Sequence, residues 1–470
     1  MTPRILLLLL AAAGKERTQS FDKDPGWEGR NNRSSTPAKR TVVQDFGYSR
    51  TAHAGGKAGE IGGLVTSAAE PAWYARKIGR KTFDSPLSAS GRLLCKGPRF
   101  HAVIGFFDSR TVNEWRTPNT VSLRLLGRGD VFYAYVEYAT GRWRAGGDTP
   151  GGFATVRDKE GGKPRLRGFK TGTALEWSIR YDPKGNKGGG SVTVTLGGET
   201  TVCHLGAGHK ADGASFDRFG LMPVLKSAHG GGEVWLDDVE VDGAKDGFDR
   251  DPGWEGVGNR RRYESADVRP RFDFGYSPTN HAGGKAAGEL GGLLFRGDCR
   301  FKDRMACYGD RLALLGLDKP LKASGKVAMR RGVTDSTTLL GFYHSEDSMA
   351  SNPSQESGWP KGFLGAAIEG PSREGFFFYP AYRLRGGQQG HAKGDALPRI
   401  LPDGKAHGWS LEYVPDGRGT VTVKLGDKSA KLGLGEGHKK AGARFDRFGL
   451  VTTWIDGNGQ RVYFDDLTYT

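Results

Sequence analysis

The chain has 470 residues, among them 75 glycines, 22 prolines and four cysteines, and a formal net charge of +16. Hydrophobic residues make up 36% and there is no low-complexity tract, which excludes a disordered chain and leaves room for two or three domains. The 69 Lys and Arg residues are dispersed rather than gathered into a basic arm, so the charge favours polyanions in general, and no nucleic-acid recognition motif accompanies it.

Arg4, the apolar run Ile5 to Leu10 and the small residues Ala11 to Ala13 have the order of a secretory signal, residues 1–13, cleaved near Ala13. The run is too short to span a bilayer, and no later stretch is apolar enough to do so. The expectation is an exported protein, secreted, periplasmic or held at the cell surface. A short segment, 14–20, follows.

Residues 21–29 read FDKDPGWEG, and residues 248–256 read FDRDPGWEG. The echo continues along the chain. DFGYSRTAHAGGKAGEIGGL (45–64) returns as DFGYSPTNHAGGKAAGELGGL (273–293), and LSASG (87–91) as LKASG (321–325). WSIRYDP (177–183) matches WSLEYVP (409–415), and GHKADGASFDRFGL (208–221) matches GHKKAGARFDRFGL (437–450). Two units, 21–243 and 248–470, joined by AKDG (244–247), account for the whole pattern. A solenoid repeat is only some 20–50 residues long, so this is a duplicated domain, and each copy is long enough to bury a core.

Within each copy the pattern is β. Val192, Val194 and Leu196 alternate with threonines in SVTVTLG, the period of a half-buried strand. VFYAYVEY (131–138) and GFFFYPAY (375–382) are aromatic-rich, and Gly-rich turns such as DPKGNKGGG (182–190) separate such runs. No long amphipathic helix is evident. The prediction is an all-β chain of two tandem antiparallel β-sandwich domains.

The late FDRFGL strand, followed by the closing VWLDDVEV (234–241) or VYFDDLTY (462–469), and the opening FDxDPGW resemble the concanavalin A-like, laminin-G-like jelly rolls. The resemblance implies a jelly-roll sandwich over nearly the whole mature chain. It implies function less firmly, because members bind glycans, cleave them or mediate protein contacts. A galactose-binding-like jelly roll is the second candidate fold.

The doubled aspartates of the closing strands, Asp237-Asp238 and Asp465-Asp466, sit among apolar neighbours and so need partners. If first and last strands lie side by side, Asp22 and Asp24, or Asp249 and Asp251, would join them around a structural Ca²⁺. The alternative is capping of backbone N–H groups or pairing with Arg218 and Arg447. HAGGK (53–57, 281–285), with Glu60 and Glu289, reads as a tight turn with solvated side chains. DVEVD offers Asp238, Glu240 and Asp242 at glycosidase-like spacing, but the second copy reads DLTYT, so the stretch reads as a solvated terminal strand. Cys95, Cys203, Cys299 and Cys307 admit three pairings; Cys95 and Cys203 suit a bridge or two buried thiols equally.

The copies diverge most after GFFDS and GFYHS, and loops that vary on a shared scaffold commonly carry specificity. The first copy offers Asp108, Arg110, Trp115, Arg116, Tyr135, Trp143 and Arg144 there; the second offers Tyr379, Tyr382, Arg383 and Arg385. Aromatic rings stack on sugars and arginines grip carboxylate or sulfate. The expected function is therefore binding of a polysaccharide or other glycan, acidic ones included, without catalysis. The alternatives are a glycoside hydrolase or polysaccharide lyase acting through Glu114, Glu137, His344 or Glu369, and an adhesive protein-binding module. Nucleic acid is not an expected partner.

Overall fold

The computed structural model describes residues 16–33, 38–115, 117–153, 155–156, 165–166, 168–354, 358–372 and 375–470. Residues 1–13, where a secretory signal is expected, and Arg116 lie outside the described residues. The chain is all-β, as expected, and forms two units. Among the described residues the only helical pieces are the short turns Lys210–Asp212, Lys302–Arg304 and His438–Ala441. Among the described residues no helix is long and apolar enough to cross a membrane.

The 38–271 unit stacks two antiparallel sheets. Its first sheet runs Glu199–His204, Ser191–Leu196, Leu175–Asp182, Leu87–Lys96, Gly231–Val241, Glu60–Thr66, Arg40–Ser49 and Arg260–Ser265. Its second runs Ala145–Gly152, Val131–Ala139, Thr120–Arg128, His101–Phe107, Ser215–Pro223, Trp73–Thr82 and Glu255–Val257. The period-two pattern decides what lies between them. Trp177, Ile179, Val192 and Val194 from the first sheet share one core with Ile104, Phe106, Val121 and Leu123 from the second. Trp177 stacks on Phe219 across the gap, 6.0 Å between centroids. The 272–470 unit repeats the layout, with Phe378 packed against Trp409 between its two sheets at 6.3 Å.

The expected boundaries at 243 and 248 are corrected by the strand pairing. Residues 16–33 belong to the 272–470 unit, and residues 244–265 belong to the 38–271 unit. Arg17–Gln19 pairs with the closing strand Gly459–Tyr469, and Glu28–Arg30 pairs with Cys307–Leu315. In the other unit Ala244–Asp246 pairs with Gly231–Val241, and Glu255–Val257 with Trp73–Thr82. AKDG is thus an edge strand and its turn, not a linker. Each FDxDPGWEG segment completes the sandwich of the other copy: its own strand, Glu28–Arg30 or Glu255–Val257, covers one sheet edge, and the strand just before it, Arg17–Gln19 or Ala244–Asp246, pairs with that copy's closing strand. All four cysteines are buried and unbridged. The Cys95 thiol is pushed far up by burial, as for an inert apolar side chain.

Candidate functional site

The divergent loop of the first copy lies over the outer face of the second sheet. Val103 and Phe107 point outward there, and Val112 and the half-buried Trp115 close over them with Met222, Val224 and Leu225. Beneath the loop is a charged cluster. Arg124 pairs with Glu137 at 2.7 Å and donates to His101 Nε2 at 2.9 Å; its guanidinium lies 4.0 Å from the Tyr135 ring. His101, Arg124 and Glu137 are all buried. Burial first, then Arg124 and Lys226, holds the His101 imidazole well below its usual range, so it is neutral. Lys226 stands 5.3 Å from the Trp115 centroid and is pushed down to about 8 by burial and by Arg124. The space left under the loop is about 20 Å³, room for about one water.

Most residues expected to face a ligand here are therefore structural. Burial raises the Asp108 carboxyl, but hydrogen bonds from Arg110 outweigh it, and the net value is below the ordinary one. Trp143 donates its indole N–H to Glu114, which is buried. Arg144 is tied to Asp212 and the Gly208 carbonyl. In the other unit, Tyr382 is a core side chain sharing its hydroxyl with His438 and the Gly435 N–H. Tyr379 donates to Glu369, which also pairs with Arg296 at 2.8 Å. Arg383 is buried over Trp454 at 4.8 Å and donates to the Trp359 carbonyl. Arg385 is exposed near Asp347, 3.6 Å away, and the Asp347 N–H donates to His344 Nδ1. The divergent loops were expected to face a ligand; the first copy's instead packs down on the second sheet, because Trp115 and its apolar neighbours are worth more buried than exposed.

The aspartates also fall differently from the expected calcium arrangement. Asp24 and Asp251 accept the N–H two residues on, from Gly26 and Gly253, and so cap their own turns. Asp22 and Asp249 are exposed. Asp22 and Asp24 lie in a different unit from Asp237 and Asp238, as Asp249 and Asp251 do from Asp465 and Asp466, so neither pair can close its own copy. Among the described residues no group of three or more His, Cys, Asp or Glu side chains is placed to hold a metal. Asp237 and Asp465 instead sit under the HAGGK turns. A Cβ on Gly55 would stand 1.6 Å from Asp237 Oδ2, and one on Gly284 1.8 Å from Asp465 Oδ2, so these glycines are required by the close approach. Glu60 and Glu289 are not solvated. Both are buried, and they accept the N–H groups of His53 and Ala54, and of His281 and Ala282. Burial pushes both Asp237 and Asp465 up to about 6, with the neighbouring acids adding to it.

The open site lies on the other sheet. A groove of about 810 Å³ crosses the outer face of the first sheet in the 38–271 unit, and an adjoining one of about 360 Å³ shares Ser90, Ser178, Thr195 and Glu240 with it. Strand register explains the lining. Ser178 lies opposite both Ser90 and Thr195, and Arg180 lies opposite Ser88 and Thr193, so small hydroxyls form rows across three strands. Gly91 adds no side chain, because a Cβ there would stand 2.8 Å from the Asp237 carbonyl. Charges border the rows: Arg92, Glu176, Asp238, Glu240 and Lys245. The closing strand shifts register between Asp237 and Glu240, and Asp238 takes a left-handed backbone with φ 51°. The groove thus combines hydroxyls, carboxylate acceptors and guanidinium donors over an area that suits a polyhydroxylated ligand. At the matching positions of the 272–470 unit, Lys322 pairs with Glu412 at 3.1 Å and Lys326 with Asp466 at 2.8 Å, so a long side chain lies where the first copy has Ser88, while a cation is kept at the position of Arg92.

No family model and no curated protein matches the chain. Among solved structures it is similar to domains LG4-5 of the mouse laminin alpha1 chain, at 9% identity and TM-score 0.25, over 91% of this chain and 93% of that one. It is also similar to an alginate lyase from Alteromonas sp. 272, at 10% identity and TM-score 0.22, over 49% and 94%. A third is the binding domain of botulinum neurotoxin DC, at 6% identity and TM-score 0.21, over 89% of each. Likeness at this level bears no weight here; the fold rests on the paired strands and the site on the groove.

Sequence reasoning missed Ser88, Ser90, Ser178, Thr193 and Thr195. Alternation marked their strands, but small hydroxyls on a solvent face carry no signal of their own. Asp238 and Glu240 were noticed within DVEVD and set aside as a solvated strand end; they border the groove. Asp242 does not, since it pairs with Lys81 at 2.9 Å and accepts the Ser88 N–H.

Proposed function

We propose that this chain is an exported glycan-binding protein whose ligand lies in the hydroxyl-lined groove of the 38–271 unit. The observation that supports this most is the continuous open groove over Ser90, Ser178 and Thr195, with Arg92 and Arg180 able to grip an acidic group and Glu176 and Glu240 able to accept sugar hydroxyls. Export rests on the order of residues 1–13. Acidic polysaccharide is favoured by the net charge of +16.

The test is a glycan array with the mature protein, run with and without calcium and again at high salt. Specific binding is expected to survive moderate salt, to disappear in Ser178→Trp, which fills the groove, and to weaken in Arg92→Ala. Trp115→Ala should leave specificity intact. Binding that persists in Ser178→Trp sinks the assignment. A second reading has one observation behind it: Glu176, Asp238 and Glu240 are acids bordering one groove, as a glycoside hydrolase requires. Release of reducing ends that stops in Glu240→Gln or Glu176→Gln would select it.

A further inference from the structure

Each unit has a seat for an FDxDPGWEG segment, and the two seats are the same. On the 272–470 unit, Phe21 is fully buried with Trp27 edge-on at 5.1 Å; on the 38–271 unit, Phe248 and Trp254 repeat this at 5.5 Å. Trp27 leans on Tyr308, and Trp254 stacks on Tyr74. Glu28 meets Arg447, and Glu255 meets Arg218. Asn32 donates to the Phe274 carbonyl, and Asn259 to that of Phe46. Both phenylalanines hold a left-handed backbone, φ 55°, which a bulky residue adopts only when its surroundings enforce it.

Main-chain pairing along an edge plus two aromatic pockets is a peptide-recognition surface. The 272–470 unit receives a segment, 16–33, that the 38–271 unit separates from the rest of it in the chain, so nothing in the seat distinguishes the segment of its own chain from that of another. We infer that the seat on the 272–470 unit takes residues 16–33 of a second copy of this chain, linking copies by strand exchange. The exchanged element is identical to the one it replaces, so the contacts are conserved and the balance is set by concentration. This is independent of the glycan groove.

The test uses two full-length preparations with different tags, unfolded together, refolded over a range of concentrations and captured on one tag. The second tag is expected to be captured too, in a fraction that rises with concentration. Excess peptide of residues 16–33 added during refolding should reduce that fraction to background, whereas the same peptide carrying Phe21→Ala and Trp27→Ala should leave it unchanged. Absence of co-capture at every concentration overturns the inference. So does co-capture that the native peptide leaves intact, which would place the contact elsewhere.

Discussion

Phe21→Ala separates the pairing described above from a simple head-to-tail arrangement. Phe21 is fully buried and belongs to the first copy by sequence, yet it packs in the 272–470 unit. Truncating a buried Phe costs about 3–5 kcal/mol, through lost transfer energy and the cavity left behind. For a unit of roughly 200 residues, a kcal/mol lowers Tm by about 2–4 °C, so one calorimetric transition should fall by roughly 6–20 °C. Hydrogen exchange localises the effect. Amides in the strands of 272–470 that exchange only on unfolding of that unit should lose about a hundredfold or more in protection, since ~1.4 kcal/mol is tenfold. Amides in the 38–241 strands should keep theirs. Phe248→Ala should give the mirror image, loosening 38–241 while leaving 289–470 protected. Loss of protection in the Phe21→Ala protein confined to 38–241 would refute the exchange of opening segments.

The paired aspartates give a pH dependence. The folded values of Asp237 and Asp465, about 6, lie above that of an unfolded Asp, so each favours the fold when protonated, and that contribution is lost as pH rises from about 4 through 6. The difference is at most ~3 kcal/mol per site. Urea midpoints should therefore show Asp237→Asn and Asp465→Asn raising stability at pH 7.5 and little at pH 4; equal effects at both would contradict it. Arg124→Ala should destabilise the 38–271 unit by about 3–5 kcal/mol, because it removes the cation paired with the buried Glu137 carboxylate. Adding Glu137→Leu should recover part of this in thermal melts, and no recovery would mean that the arginine acts through packing on Tyr135 rather than through its charge.

The fold was legible because strand alternation and duplication are both written in residue order. Val192, Val194 and Leu196 face the core as the period demands, and the matching runs of the second copy do the same. The site was not legible, for two physical reasons. Aromatics and arginines stand out in a sequence, yet Trp115, Tyr382 and Arg383 are worth more packed than exposed, and the fold uses them as cover and core. The groove depends instead on which small residues become neighbours across three strands, and cross-strand register is absent from the linear order.

The misplaced boundary has a different origin. A tandem repeat fixes the length of its unit but not its phase: cutting a periodic sequence at any point yields the same period. FDxDPGWEG is the most conspicuous shared stretch, so it invites a cut at its first residue, and that choice carries no physical information. Phase is set by which strands share an edge. Ala244–Asp246 follows the closing strand Gly231–Val241 through the tight turn at Asp242 and Gly243 and pairs back on it, the cheapest connection in an antiparallel sheet. The opening segment of the second copy is therefore, mechanically, the closing hairpin of the first. At the closing strand Gly459–Tyr469 the same position is filled by residues 17–19, which come from before the first copy rather than from a hairpin. The two closing strands therefore meet the same need by different routes, one through a hairpin and one through a segment distant in sequence, and in both the added strand satisfies backbone groups along an edge that would otherwise stay open.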